Sequence, residues 1–270
     1  MRGKYLTFGY ATDVGLIHKS NYDAYGCFVA SIFQQGKDVD FGLFAVASGG
    51  GWGGEGDKAA AIAIRVIMQE VIGKIDIPIL NSEPGQSDLY DLLRAGVEKA
   101  NVEVLNGMTF DELFGSTLDG TTLTVALVVG RMAYIANAGD NRAYLFSNTP
   151  THMEQITHDH TMVQVLVDKA HITPEEAQGH PMARVLYRYV GAETIDVDIY
   201  THSLIPGAKL LLCSDGLWRQ VRDNEIASVV TTNTHPQIVC GELIRLANAN
   251  GGEDNVTVVV VEMPTANGLH

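Results

Sequence analysis

Apolar residues in this chain fall into short uninterrupted runs. Segments 41–47, 122–129, 132–138, 142–146, 209–213 and 256–261 are rich in Val, Leu, Ile and Ala and end at Gly, Asp or Asn, which predicts strands. Gly130 and Arg131, between two of these runs, read as a hairpin turn. Elsewhere the spacing becomes helical. Over 58–72, Ala59, Ile62, Val66 and Ile67 recur towards one side, and over 87–105 so do Leu89, Leu93, Val97, Ala100 and Val104. A third helix is expected at 162–170. A fourth follows Thr173-Pro174-Glu175-Glu176, where Thr caps, Pro takes the first turn and the acids face the helix dipole. A last helix is expected over 237–248. Parallel doubly wound folds alternate strand and helix, whereas here the two are segregated. That order argues for an α+β fold with helices packed on antiparallel sheets.

The 270 residues contain no repeat, low-complexity tract or long linker. A single domain over 1–263 with a short tail at 264–270 is the simplest reading. At 46% hydrophobic residues, a chain of this size buries about three quarters of its unfolded surface. Thirty-two acidic against 18 basic side chains give a net charge of −14. A nucleic-acid backbone or an anionic membrane would meet like charge, so neither is expected as a partner. Cys27, Cys213 and Cys240 are too scattered for a disulfide framework. No segment approaches the ~18 apolar residues of a membrane span, and the N-terminus lacks the apolar run of a signal peptide. A cytoplasmic protein in a reducing compartment is expected.

Two local features invite chemistry. In the glycine run at 48–57, Gly49, Gly51 and Gly54 fit GxGxxG, a pattern that lets backbone approach a pyrophosphate at a helix N-terminus. A dinucleotide site would need a second strand ending in an acid, and the only candidate, 74–78, is short and carries Pro78. The second feature is the set of turn acids Asp140, Asp215 and Asp254, each at the end of an apolar run. Any one Asp beside Gly is ordinarily a turn former. Three at strand ends can converge, and converging oxygens are what Mg²⁺ or Mn²⁺ requires.

Eight motifs in one order carry a specific resemblance. They are Thr12-Asp13-Val14-Gly15 with Asn21-Tyr22-Asp23, Phe44-Ala45-Val46-Ala47-Ser48-Gly49, Gly120-Thr121-Thr122, Ala136-Asn137-Ala138-Gly139-Asp140-Asn141-Arg142, Thr157-His158-Asp159-His160, Ile172-Thr173-Pro174-Glu175-Glu176-Ala177 with His180-Pro181, Leu211-Leu212-Cys213-Ser214-Asp215-Gly216-Leu217-Trp218, and Gly252-Glu253-Asp254-Asn255-Val256-Thr257. Together, over nearly the whole chain, they resemble the metal-dependent type 2C Ser/Thr protein phosphatases, the PPM family, in their compact bacterial form. The resemblance implies a four-layer α-β-β-α sandwich of two antiparallel sheets, and a flap subdomain at about 159–191 beside the site. It also implies a binuclear Mn²⁺ or Mg²⁺ centre whose bridging water attacks phosphoserine or phosphothreonine. It assigns Asp215 and Asp254 as metal ligands, Asp140 to an additional metal site, Asp23 to the acid closing an Asn-Glu-Asp triplet, and Gly49 as a backbone-carbonyl ligand.

The same resemblance marks departures. Tyr22 stands where the triplet has Glu, and Ser48 where the family has the Asp that bridges both metals. His18, with Lys19 beside it, falls where an Arg grips the substrate phosphate. Met182 and Arg184 differ from the usual flap residues. A hydroxyl neither supplies charge nor readily bridges two divalent ions, and an imidazole does not reproduce bidentate phosphate recognition. These changes favour a catalytically impaired pseudophosphatase that binds a protein partner, phosphorylated or not, and regulates signalling, with Mn²⁺ or Mg²⁺ at one residual site or at none. The alternative is a weakly active Mn²⁺- or Mg²⁺-dependent Ser/Thr phosphatase whose site is completed by Glu55 or Asp57. A nucleotide-binding enzyme built on the glycine run stands third. His152, His158, His160 and His180 are expected on the surface or flap, and Trp52 and Trp218 as packing or loop anchors.

Overall fold

Strands buried on both faces need no polar alternation, and each of the six apolar runs lies in such a strand. In the computed structural model, which describes residues 6–34, 37–50, 56–75, 86–107, 120–147, 153–233 and 235–264, the strands are β1 (Thr7–Asp13), β2 (Asp23–Gln34), β3 (Lys37–Ser48), β4 (Leu123–Val129), β5 (Met132–Ala138), β6 (Arg142–Phe146), β7 (Met153–Gln155), β8 (Asp198–Ser203), β9 (Lys209–Cys213) and β10 (Val256–Glu262). The helices are α1 (Gly56–Lys74), α2 (Gln86–Gly107), α3 (Met162–Asp168), α4 (Pro174–Ala177), α5 (Asp215–Trp218), α6 (Asp223–Thr232) and α7 (Pro236–Ala249). One five-stranded sheet runs β1-β10-β9-β6-β7 and the other β2-β3-β4-β5-β8. Every pairing is antiparallel.

The two sheets face each other across a core of Phe44, Val46, Ala126, Val128 and Ile135 on one side and Leu210, Leu212, Val259 and Val261 on the other. Alternate residues of the same strands point outward. Leu43, Ala45 and Leu127 meet Ile67, Leu93 and Val97 of α1 and α2, while Leu211, Val258 and Val260 meet Ile226 of α6 and Val239 and Leu243 of α7. The result is the expected α-β-β-α sandwich.

Elements that the apolar pattern left out are half-exposed or short. β1, β2, β7 and β8 are edge strands, β2 mixing Asp23, Tyr25, Gly26 and Ser31 into its length. α5 is one turn long and α6 follows it closely. The helix expected over 162–170 stops at Asp168, with Lys169 as its C-cap and Ala170 at φ 53°. No helix among the described residues is long and apolar enough to cross a membrane, and the cysteines are free, Cys213 and Cys240 buried.

One end of the sandwich gathers the turn residues. Register pairs Asp23 with Ser48, Asp13 with Val256 and Arg142 with Cys213 at strand termini. Cross-sheet bonds tie these termini together: Asn141 Nδ2 donates to Val46 O at 3.0 Å and Ser214 Oγ to Asp23 Oδ2 at 2.7 Å. Phe44 is fully buried between the sheets. Phe44→Ala is expected to lower unfolding stability by about 3–5 kcal/mol. Urea denaturation checks this, and a loss below about 1 kcal/mol would mean that the sheets repack around the cavity.

Candidate functional site

The strand ends surround a cavity of about 850 Å³ lined by, among others, His18, Tyr22, Ser48, Gly49, Asp140, Arg184, Asp215 and Asp254. Asp140, Asp215 and Asp254 already face bases. Arg219, one turn beyond Asp215, donates from Nε to Asp215 Oδ2 at 2.8 Å and from Nη2 to Asp140 Oδ2 at 2.8 Å. Its Nη2 also donates to Ala183 O at 2.9 Å. On the other wall, Asp254 Oδ2 accepts from Arg184 Nη1 at 2.5 Å and Asp254 Oδ1 lies 3.3 Å from His18 Nε2. Burial first, and then the neighbouring Asp215, push the Asp140 pKa up to about 7, a rise that Arg219 reduces but does not cancel. The two acids in turn strengthen Arg219's hold on its proton against desolvation.

Trp218 places this arrangement. Its indole N–H donates to Asp140 O at 3.0 Å. The Arg219 guanidinium carbon lies 4.3 Å and that of Arg142 3.7 Å from its ring centre, within the range of cation–π attraction. Arg142 is held in turn by a bidentate pair with buried Asp159. Asn255 organises the opposite wall. Its Oδ1 accepts from Tyr22 N at 2.7 Å, and its Nδ2 donates to Val14 O and Ser20 O, pinning the loop that carries His18. Gly216 is required here because a Cβ would lie 1.9 Å from Asn255 O.

Of the residues picked from the sequence, the structure brings His18, Tyr22, Ser48, Gly49, Asp140, Asp215 and Asp254 to one cavity. Lys19 is exposed and does not line it. Asp23 does not line it either. It sits beside Ser48 in the β2/β3 register and accepts from Ser214, its Oδ1 buried and unpartnered. Glu55, Trp52 and His152 lie outside the described residues, as does the Asp57 side chain. Gly51 and Gly54 of the GxGxxG pattern lie outside the described residues; the amides of Gly49 and Gly50 donate to Tyr22 O and Gly120 O and so close strand ends.

His160 is a correction. Expected on the surface or flap, it is fully buried. Gly139 N donates to its Nδ1 at 3.0 Å, which leaves the proton on Nε2 to reach Asp198 Oδ2 at 3.0 Å. It thereby fixes the turn that presents Asp140. Arg219 was missed, and Arg142 and Asp159, though they lie in two of the motifs, carried no assigned role, since no local pattern shows which distant partner such a charge will meet.

The fold implies a divalent ion. Among the described residues, no three Asp, Glu, His or Cys side chains group as a ready-made cage. Asp215, Asp254 and the Gly49 backbone nonetheless line one cavity, and carboxylate and carbonyl oxygens are the donors that hard divalent ions take; Arg184, which holds Asp254, is 48% exposed and free to swing into solvent, so this side fits one ion. The Asp140–Asp215 side does not, because Arg219 occupies an oxygen of each.

Burial pushes the Asp23 pKa up to about 6, against the Ser214 hydrogen bond. Between the ordinary carboxylate value and about 6, the folded state then holds a proton that the unfolded chain has released, so stability falls as pH rises through that window. Asp23→Asn removes the effect. In EDTA, its stability advantage over wild type is expected to grow across about pH 4–6 and to level off above, as read by urea unfolding; a pH-independent difference would place the Asp23 pKa at its ordinary value.

Comparison with known proteins accords with this geometry. The protein phosphatase 2C family model matches residues 30–165. Serine/threonine phosphatase stp of Listeria monocytogenes is 32% identical over 263 residues, 94% of each chain. The crystal structure of serine/threonine phosphatase Stp1 from Staphylococcus aureus superposes with a TM-score of 0.81 at 28% identity, covering 97% of this chain and 96% of that one. The catalytic domain of the phosphatase PstP, solved with 2 manganese ions, gives 0.70 at 30% identity over 95% and 97%. With its two antiparallel sheets between helix layers and its acids gathered at one end, the chain belongs to the protein phosphatase 2C family of Ser/Thr phosphatases.

Proposed function

We propose that this chain is a metal-dependent protein phosphatase of reduced activity that hydrolyses phosphoserine or phosphothreonine in protein substrates. The observation that carries the reading is the opening of Asp215, Asp254 and the Gly49 backbone into one cavity with Arg184 and His18 on its wall. Whole-length relatives named as Ser/Thr phosphatases favour catalysis over the non-catalytic module that the sequence departures suggest. Asp215, Asp254 and Gly49 are the residues that would hold Mn²⁺ or Mg²⁺. When bound, such an ion supplies Lewis acidity and a water acidified for attack on phosphorus.

The chain's own groups bind and orient. Arg184 is half-exposed at the cavity and its free guanidinium donors meet a phosphate oxygen, while Asp254 holds the guanidinium in place. His18 Nε2 faces the same carboxylate from the opposite loop, its ring edge-on to Tyr22 at 6.2 Å. Ile17 and Leu186 also line the cavity and give the substrate's peptide an apolar contact.

A second reading, a phosphoprotein-binding module without turnover, draws on one observation: Ser48, a neutral residue, pairs with Asp23 at the strand end where the family has a bridging carboxylate. A Mn²⁺-dependent assay on a phosphothreonine peptide separates the two. Turnover on the order of 1 s⁻¹, abolished by Asp215→Asn, is expected, and Ser48→Asp is expected to raise it. Arg184→Ala is expected to raise KM about tenfold with a smaller change in kcat, the loss of one charge-assisted contact. Peptide binding without turnover in the wild type, under saturating Mn²⁺, would establish the binding module instead.

A further inference from the structure

Two carboxylates brought to one buried point repel, and the repulsion grows as water is excluded. Asp140 and Asp215 are in that situation, with side chains 7% and 15% exposed. The relief is visible. Arg219, itself 14% exposed, spans them with one N–H to each, donates again to Ala183 O, and lies over the Trp218 ring. Trp218 is tied to Asp140 by its own N–H, so the indole that carries the guanidinium is fastened to the residue the guanidinium neutralises.

We propose that Arg219 is the resident cation of the Asp140–Asp215 pair: a guanidinium built into the chain stands where a divalent ion would otherwise be held, so that this pair takes no metal. The inference rests on the proposed function only in expecting divalent ions to enter the cavity; it concerns how many bind, not whether phosphate is hydrolysed.

The physical argument is one of competition. Arg219 is tethered four residues from Asp215, on the turn of helix that follows it, so it competes at high effective concentration. To displace it, an incoming ion must break its hydrogen bonds to Asp140, Asp215 and Ala183 and its contact with Trp218, and must shed water from its own shell. The displaced guanidinium would have to find solvent from a site that is mostly closed. A lysine at 219 keeps a charge but not the fork that reaches both carboxylates. A neutral short side chain leaves two unpaired acids and an open space between them, which is a cation site.

Calorimetric titration of EDTA-stripped protein with Mn²⁺ alone, counted independently by Mn²⁺ electron paramagnetic resonance, tests this. Arg219→Ala is expected to bind one ion more per chain than wild type, and Arg219→Ala with Asp140→Asn to lose that ion again. Mn²⁺ is expected to raise the unfolding midpoint of Arg219→Ala more than that of wild type. Equal stoichiometry in wild type and Arg219→Ala overturns the proposal. Should Arg219→Ala fail to fold even with Mn²⁺, Asp140→Asn in the wild-type background decides: unchanged stoichiometry supports a resident guanidinium, and loss of one ion shows that the pair already held metal. Because the readout is a count of ions, it stands whether or not the phosphopeptide assay finds turnover.

Discussion

Compensation of converging carboxylates is the constraint on which this structure turns. The sandwich places the ends of β2, β5, β9 and β10 at one pole, and each delivers an acid there: Asp23, Asp140, Asp215 and Asp254. Like charges at such spacing cost several kcal/mol in a partly dry environment, so every acid must be matched. The chain does this locally and differently for each. Arg219 serves Asp140 and Asp215, Arg184 and His18 serve Asp254, and Asp23 is left to the Ser214 hydroxyl and a raised pKa.

The matching bases need positions as exact as those of the acids, and the fold supplies them through a shell of neutral anchors. Trp218 carries Arg219, Asn255 pins the loop of His18 and Tyr22, and His160 holds the turn before Asp140. None of these side chains bears net charge in the state the hydrogen bonds require. They link the pole to the apolar core, which sets strand position to within the tolerance that close packing imposes. The site is thus built on rigid elements, while the residues that decide its chemistry are few and separable from the packing. That separation explains how Ser48 and Tyr22 can differ from the family pattern in a sandwich that is otherwise intact.

What was legible in the sequence follows the same division. β5, β6 and β9 were bounded correctly, and β3, β4 and β10 found within their cores, because residues such as Leu43 to Ala47 or Val256 to Val261 are apolar on both faces and nothing competes with that signal. β1, β2 and β8 escaped because edge strands face solvent on part of their surface, and Asp23, Gly26 and Ser31 interrupt β2. At the site, Asp140, Asp215 and Asp254 could be read because turn acids at strand ends are conspicuous and their order matched a known family. Their partners could not. Arg219 lies four residues from one acid but 79 from the other, Arg184 lies 70 from Asp254, and His160 meets Gly139 across 21 residues. Pairings that distant are made by topology, and local periodicity carries no trace of them. Lys19 shows the converse, since adjacency to His18 in sequence did not bring it to the cavity.

A fold shared with phosphatases settles where chemistry can occur but not how much charge the site has available for it. An exchangeable divalent ion contributes two positive charges and open coordination positions for water; a guanidinium contributes one charge, fixed donors and no such position. The two are not equivalent even where both neutralise the same pair of acids. Asp215 engages Arg219 through Oδ2 while lining the cavity shared with Asp254, so one carboxylate stands at the boundary between a pole neutralised from within the chain and a wall with donors suited to an ion. On the proposed assignment, the charge on the Asp140 side comes from the chain itself, and a dependence on Mn²⁺ or Mg²⁺ would originate on the Asp254 side.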